Sequence, residues 1–294
     1  MCTYFLIESF NIKRLLSKLG EKVSIFRTYK YTLICFFFNG VTPAASGGQP
    51  MEIYNMNKDG IPGSKATLVL LMQMCSFKIA TVTIGIISFL FNYRYLDTKF
   101  LGLFVIGIIT YCVPLFIIMI CIFFTKVAKR LVSFFVKILR RIGFKKLDDK
   151  KQKIDHTMEQ YSESATFIKK NIGVFFASIF RVFIQLMCFY LITFFVYKAL
   201  HLSGHTLLEI FTRQSLLYLM ASWVPLPGAI GANEAIYLSL FLPIFGEDLL
   251  SSALLLSRGI DFYLFVLIGM IVVLLNRLLR GKRKEIGNDW WLFI

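Results

Sequence analysis

Apolar and polar positions fall along this chain in long blocks rather than with a short period. Residues 66–91, 99–124, 173–200 and 249–275 are runs of aliphatic, aromatic and small residues with few charges. Each is long enough to cross a hydrocarbon core of ~30 Å, which takes roughly 20 apolar residues as a helix. Pro114 lies inside the second run, where a kink is tolerated if neighbours satisfy the freed backbone. Two further apolar blocks stop short. Residues 24–41 run into "FFNGVTPAASGGQP" (Phe37 to Pro50), and residues 205–224 run into "PLPGAIGANEA" (Pro225 to Ala235). Proline and glycine at that density break a helix. The opening "MCTYFLIESFNIKRLLSKLG" reads as the tail of another span, without the basic start and small-residue cleavage site of a signal peptide. The chain is therefore expected to start late, with earlier spans missing.

Charge gives these blocks a direction. Lys13, Arg14 and Lys18 close the first segment, and the stretch from Lys126 to Lys153 carries eleven basic residues against Asp148 and Asp149. Apolar residues recur between those charges at helical spacing, which predicts an amphipathic helix on the membrane surface. The last run meets Arg277, Arg280, Lys282, Arg283 and Lys284. Lys and Arg beside spans mark the cytoplasmic side, so the basic connector and the C-terminal tail are both placed there. Two cytoplasmic ends need an even number of crossings. Runs 173–200 and 249–275 supply them, so the block between must enter and leave on the outer side. The same count in the first half makes 24–57 a hairpin entering from the cytoplasm. The expected fold is an all-α polytopic membrane protein, an inverted-repeat helical bundle with two Pro/Gly-broken re-entrant hairpins. Its parts are residues 1–125 with a hairpin around 24–57, the connector 126–172, residues 173–276 with a hairpin around 205–245, and the tail 277–294.

Composition agrees with that class. Hydrophobic residues make up 57% of the 294 and charged ones 17%. The formal net charge of +16 lies in loops between spans, where it fits anionic lipid rather than direct contact with nucleic acid. Six cysteines (Cys2, Cys35, Cys75, Cys112, Cys121, Cys188) are scattered without CxxC spacing, and His201 and His205 sit in a polar link. Neither a disulfide framework nor a metal site is supported, and no cofactor or catalytic residue is expected. A break in a half-helix at membrane depth survives only inside protein or beside a watery cavity, and transporters built as inverted repeats place their site there. An ordinary polar loop after a span is the plainer alternative.

The two breaks also carry a resemblance. "TPAASGGQPMEIYNMNKDGIPGSKA" (Thr42 to Ala66) with "PLPGAIGANEA" resembles the lysylphosphatidylglycerol synthase transmembrane family. This is the flippase-like domain found in the multiple peptide resistance factor and in shorter stand-alone proteins. The resemblance implies binding and translocation of an anionic or aminoacylated phospholipid, such as lysylphosphatidylglycerol, across the cell membrane. In two-part members a separate soluble domain makes the lipid from aminoacyl-tRNA. Here the chain ends at "GNDWWLFI", soon after the last span, so that domain is expected to be absent. A separate aminoacyltransferase or glycosyltransferase partner is then implied, and an oligomer stays open. The alternative reading is a phosphatidylglycerol lysyltransferase, or the membrane subunit of a lipid-modifying or lipid-linked sugar transferase. Asp148-Asp149 lies among lysines, not in an acidic metal-binding motif.

The residues expected to line a lipid cavity follow from the chemistry of the breaks. Backbone N–H groups at half-helix N-termini bind anions, helped by the helix dipole. Thr42, Pro43, Ser46, Gly47, Gly48, Gln49 and Pro50 make the first break, with Gly47-Gly48 allowing close approach and Pro50 suiting a first turn. Pro227, Gly228 and Gly231 make the second. Glu52 and Glu234 each follow a glycine-containing break, where a carboxylate would suit a cationic head group or a coupling proton. Holding the hairpins by pairing with an arginine is their structural alternative. Arg258 resembles an arginine common in the last span of the family and stands three residues before Asp261, a spacing that also allows a local ion pair. Lys78 and Arg181 are the other charges at membrane depth. The aromatic residues are read as lipid-facing or packing groups.

Overall fold

A computed structural model describes residues 1–93, 98–124 and 151–282, together with 126, 127, 129 and 130. Among the described residues every regular element is helical. In order they are α1 (Cys2–Lys18), α2 (Ile25–Val41), a 3₁₀ turn (Pro43–Ala45), α3 (Gly48–Lys58), α4 (Gly63–Asn92) and α5 (Thr98–Phe123). Then come α6 (Lys151–Lys170), α7 (Ile172–Tyr190), α8 (Ile192–Ala199), α9 (Leu207–Ala221) and a second 3₁₀ turn (Pro227–Ala229). The last are α10 (Ala232–Arg258), a π-helical turn (Gly259–Tyr263) and α11 (Leu264–Lys282). Among the described residues, four stretches are long and apolar enough to cross a membrane: Gly63–Asn92, Thr98–Phe123, Ile172–Ala199 and Pro227–Leu279. They carry exposed apolar side chains such as Phe116, Phe180, Leu255 and Leu267 on their outer surfaces, as a bilayer requires. The molecule is an all-α multi-pass membrane protein. Residues 128 and 131–150 of the connector, where most of the expected surface helix falls, and residues 283–294 of the tail lie outside the described residues.

Two helical hairpins dominate the interior. In the first, α2 and α3 run antiparallel: Asn39 meets Gly48 near the break, and Lys30 and Tyr31 meet Asp59 at the open end, both at 2.7 Å. Ser24 caps the start of α2 by accepting from the Arg27 N–H. In the second, α9 and the first part of α10 pair likewise, with Arg213 donating to the Leu240 carbonyl at 2.7 Å. Thr206 caps α9 through the Glu209 N–H. Gly246 then turns α10 back on itself with φ 68° and ψ 169°, a conformation open to glycine at little cost. The remainder of α10, the π turn and α11 follow as one final crossing.

Each hairpin packs against the other half of the chain. On one side α11 crosses α2, where Gly269 lies against the Leu33 carbonyl and Gly40 against Phe262 and Val266. On the other, α4 crosses α9, where Gly85 lies against Leu219 and Ser88 accepts from Ser215 at 2.6 Å. Small residues let these backbones approach closely, the packing that substitutes for hydrophobic drive inside lipid. The apolar core is consequently double. One cluster gathers Leu15, Leu16, Tyr31, Met56, Leu68 and Met72 around the first half of α4. The other gathers Tyr197, Leu219, Met220, Tyr237 and Phe241, with Val82 and Phe89 from the second half of α4. The 3₁₀ turns at the two breaks are in contact with each other.

Candidate functional site

The two breaks share one backbone solution. Thr42 and Leu226 are extended (φ −105°, ψ 146° and φ −90°, ψ 150°), each is followed by proline, and a 3₁₀ turn results. Ala44 and Ala45 adopt φ 52° and 51°, and Gly228 and Ala229 adopt φ 61° and 52°. Pro43 thus corresponds to Pro227, an offset of 184 positions (227 − 43). At that offset Glu234 corresponds to Pro50, not to Glu52 (234 − 184 = 50). Two residues along a helix rotate a side chain by about 200°, so the two acids point to different sides of their half-helices.

The first break is fastened by neutral groups. Thr42 Oγ1 donates to the Phe38 carbonyl at 2.6 Å and accepts from the Gly47 N–H at 2.9 Å. Asn39 Oδ1 accepts from the Gly48 N–H at 3.0 Å, and Ser46 donates to the Pro43 carbonyl at 2.9 Å. The Gly47 and Gly48 N–H groups are therefore bound within the hairpin instead of being offered to an anion. Gly48 has no room for more: a Cβ would overlap Asn39 Oδ1 and the Cys35 carbonyl. The close approach expected at Gly47-Gly48 is made to α2 and Thr42 rather than to a ligand. Gln49 is half-buried and Pro50 exposed, and Glu52 is buried on the inner side of α3.

Charge fastens the second break. Glu234 accepts from the Gly231 N–H at 2.6 Å with one oxygen and from Arg258 Nε at 2.8 Å with the other. Arg258 Nη2 donates to the Gly228 carbonyl at 3.0 Å. One guanidinium thereby ties the turn and the returning half-helix to the final crossing. Glu234 takes the structural role of an arginine partner, and both of its oxygens are engaged. Gly228 needs its bare Cα twice over, because φ is positive and a Cβ would strike the Phe262 ring. The guanidinium carbon stands 4.6 Å from the centre of that ring.

Between the breaks lies a cavity of about 250 Å³. Its polar wall is Asn39, Gln214, Asn233, Arg258 and Asp261, and its aromatic wall includes Tyr4, Tyr111 and Tyr218. Of the residues expected from sequence, Gly228 and Arg258 line it. Thr42, Pro43, Ser46, Gly47, Gly48, Gln49, Pro50, Glu52, Pro227, Gly231 and Glu234 stand around it, building the turns or lying behind them. Sequence reasoning missed Asn39, an amide inside an apolar run, and the tyrosines, which look like any other aromatic of a span. Asp261 is the informative addition. It sits in the π turn, a distortion that often accompanies function. Its Oδ1 is buried, 3.7 Å from Arg258 Nη1, and accepts no hydrogen bond among the described residues. Lys78 lies over the Tyr111 ring at 4.7 Å, and Arg181 donates to Asn11 at 2.8 Å.

A polytopic helical bundle with two broken hairpins and a polar cavity at their meeting point is the class that fold and site define. The chain belongs to the family described as the lysylphosphatidylglycerol synthase TM region, whose model matches residues 1–269. It is also similar to a UPF0104 membrane protein of Pyrococcus horikoshii, 26% identical over 287 residues, covering 94% of this chain and 84% of that one. No solved structure matches it.

Proposed function

We propose that this protein binds the head group of a phospholipid between its two broken hairpins and moves that lipid across the membrane. The observation that carries the reading is the loose Arg258–Asp261 pair, 3.7 Å apart and facing the cavity. An ion pair held at that separation without a hydrogen bond is poised for exchange. A phosphate can take the place of Asp261 beside Arg258 Nη1, and an ammonium can take the place of Arg258 beside Asp261 Oδ1. A head group carrying both, such as an aminoacylated phosphatidylglycerol, satisfies both at once. Tyr4, Tyr111 and Tyr218 add ring faces that attract a cation. In this reading the hairpins are re-entrant, one from each face, and the basic connector and tail are cytoplasmic. A lipid tail stays in the bilayer while its head passes through the waist. Synthesis of the lipid falls to a separate transferase.

The test is translocation by the purified chain in vesicles, using acyl-chain-labelled phosphatidylglycerol and phosphatidylethanolamine and a membrane-impermeant quencher. Transport by the wild type is expected, and Asp261→Asn should slow the amine-bearing lipid more than the anionic one. A wild type that moves neither lipid sinks the reading. The family description favours one second reading, aminoacyl transfer to phosphatidylglycerol. Formation of aminoacylated lipid from aminoacyl-tRNA by the purified chain would establish it.

A further inference from the structure

Behind the cavity wall lies a second acidic site that head-group binding does not use. Glu52 is 2% exposed, and its Oε1 has no hydrogen-bond partner among the described residues. Glu8 on α1, half-buried, lies near it and accepts from Gln185 Nε2 at 3.2 Å. The groups facing this pair are neutral or committed elsewhere. From α2 comes the buried Cys35 thiol, which accepts from Asn39 Nδ2 at 3.6 Å. From α4 comes Gln73, within 3.5 Å of Gln185, while Lys78 lies over Tyr111. From α7 comes Arg181, which donates to Asn11 Oδ1 instead. From α11 comes Asn276, bonded to Asn55. Among the described residues neither acid has a Lys or Arg in an ion pair.

We infer that Glu8 and Glu52 form a proton-binding site that couples proton movement to lipid translocation. A buried carboxylate without a counter-cation among the described residues is costly to keep charged, and a second acid nearby adds to that cost. A proton bound there relieves both. The step is simple in its balance: an O–H bond forms on a Glu52 oxygen from a water-borne proton and breaks when that proton leaves, with no redox change. Two features give the site a route. On one side, Glu8 stands one helical turn from Tyr4, and Gln185 and Cys35 directly precede Leu186 and Phe36, all of which line the cavity. On the other, side-chain hydrogen bonds run from Gln185 through Gln73 and Asn11 to Arg181, with Ser178 and Ser76 alongside. That polar thread leads toward the end of α1 that bears Lys13 and Arg14.

The inference rests on the transport reading, and its test keeps the two separable. In vesicles with the membrane potential clamped and a gradient of about one pH unit, the steady-state leaflet ratio of labelled lipid should shift by about tenfold for one proton per lipid. Glu52→Gln should still equilibrate the lipid but bring that ratio back to the ungraded value. Independently, infrared titration of the purified chain should show a protonated-carboxyl band that disappears in Glu52→Gln, returns in Glu52→Asp and shifts in Glu8→Gln. A gradient response that survives in Glu52→Gln overturns the coupling. A band unchanged by Glu52→Gln and by Glu8→Gln overturns the site. If the wild type moves no labelled lipid, the transport reading and the coupling fall together, and the infrared titration alone decides whether the pair binds a proton. If Glu52→Gln does not fold, Glu8→Gln carries both measurements.

Discussion

The two hairpin tips reach the same turn by different chemistry. In the first, Thr42 and Asn39 hold the Gly47 and Gly48 N–H groups with neutral side chains. In the second, Glu234 and Arg258 do the holding with charge. The shared part is steric: a proline after an extended residue, then two residues at positive φ. The fastening is free to differ because any acceptor of the right reach satisfies an N–H. The two tips therefore divide the labour. The charged tip places a guanidinium on the cavity, whereas the neutral tip leaves its own acid, Glu52, buried with no cation paired to it among the described residues.

That contrast can be broken experimentally, most severely at Arg258. Arg258→Met strands the buried Asp261 and takes the partner from the partly exposed Glu234, and losing one partner of a buried pair typically costs about 3–5 kcal/mol, less where solvent reaches the acid. Little folded protein should be recovered in detergent, with a much lowered unfolding temperature in what remains. A variant that melts like the wild type would show that charge does not fasten the second tip. Next in size is Gly48→Val. Its Cβ would collide with Asn39 and the Cys35 carbonyl, and overpacking of that kind costs about 1–3 kcal/mol. The expected outcome is a clear drop in thermal stability, and normal stability would mean that the α2–α3 approach is looser than described.

Thr42→Val keeps the shape and removes the acceptor of the Gly47 N–H, for a loss of about 1 kcal/mol, read from the same melting curves. An unaltered melting temperature would mean that water replaces the hydroxyl. The smallest effect should have the opposite sign. Ala44 sits at φ 52° where the second tip has Gly228, and L-residues there are strained by roughly 1–2 kcal/mol. Ala44→Gly relieves that strain at the cost of a floppier unfolded chain, so a gain below about 1 kcal/mol is expected. A destabilised Ala44→Gly would indicate that its methyl makes contacts worth more than the strain.

The crossings were legible because a bilayer imposes length and apolarity together. Runs 66–91 and 99–124 are the cores of α4 and α5, and proline with glycine marked both breaks. The cavity was much less so. Tyr4, Tyr111 and Tyr218 converge from three different helices, and no local pattern separates a ring facing a cavity from one facing lipid. Donors at the breaks look available in sequence, since Thr42, Asn39 and Glu234 claim them only once the turn is formed. The two acids look equivalent because each follows glycine, yet a register difference of two residues sends them to opposite sides. Asp261 three residues after Arg258 suggested a local pair, and the π turn holds that pair at 3.7 Å without a hydrogen bond.

One element belongs to both ends of the molecule. α4 has 30 residues, about 45 Å at helical rise. Leu68, Val69 and Met72 near its start are set in one apolar core, while Val82 and Phe89 near its end pack against the other. A rod anchored in this way behaves as a beam with its fulcrum at the waist. Any tilt about that level carries its two ends in opposite directions, so slack gained in one core is taken up in the other.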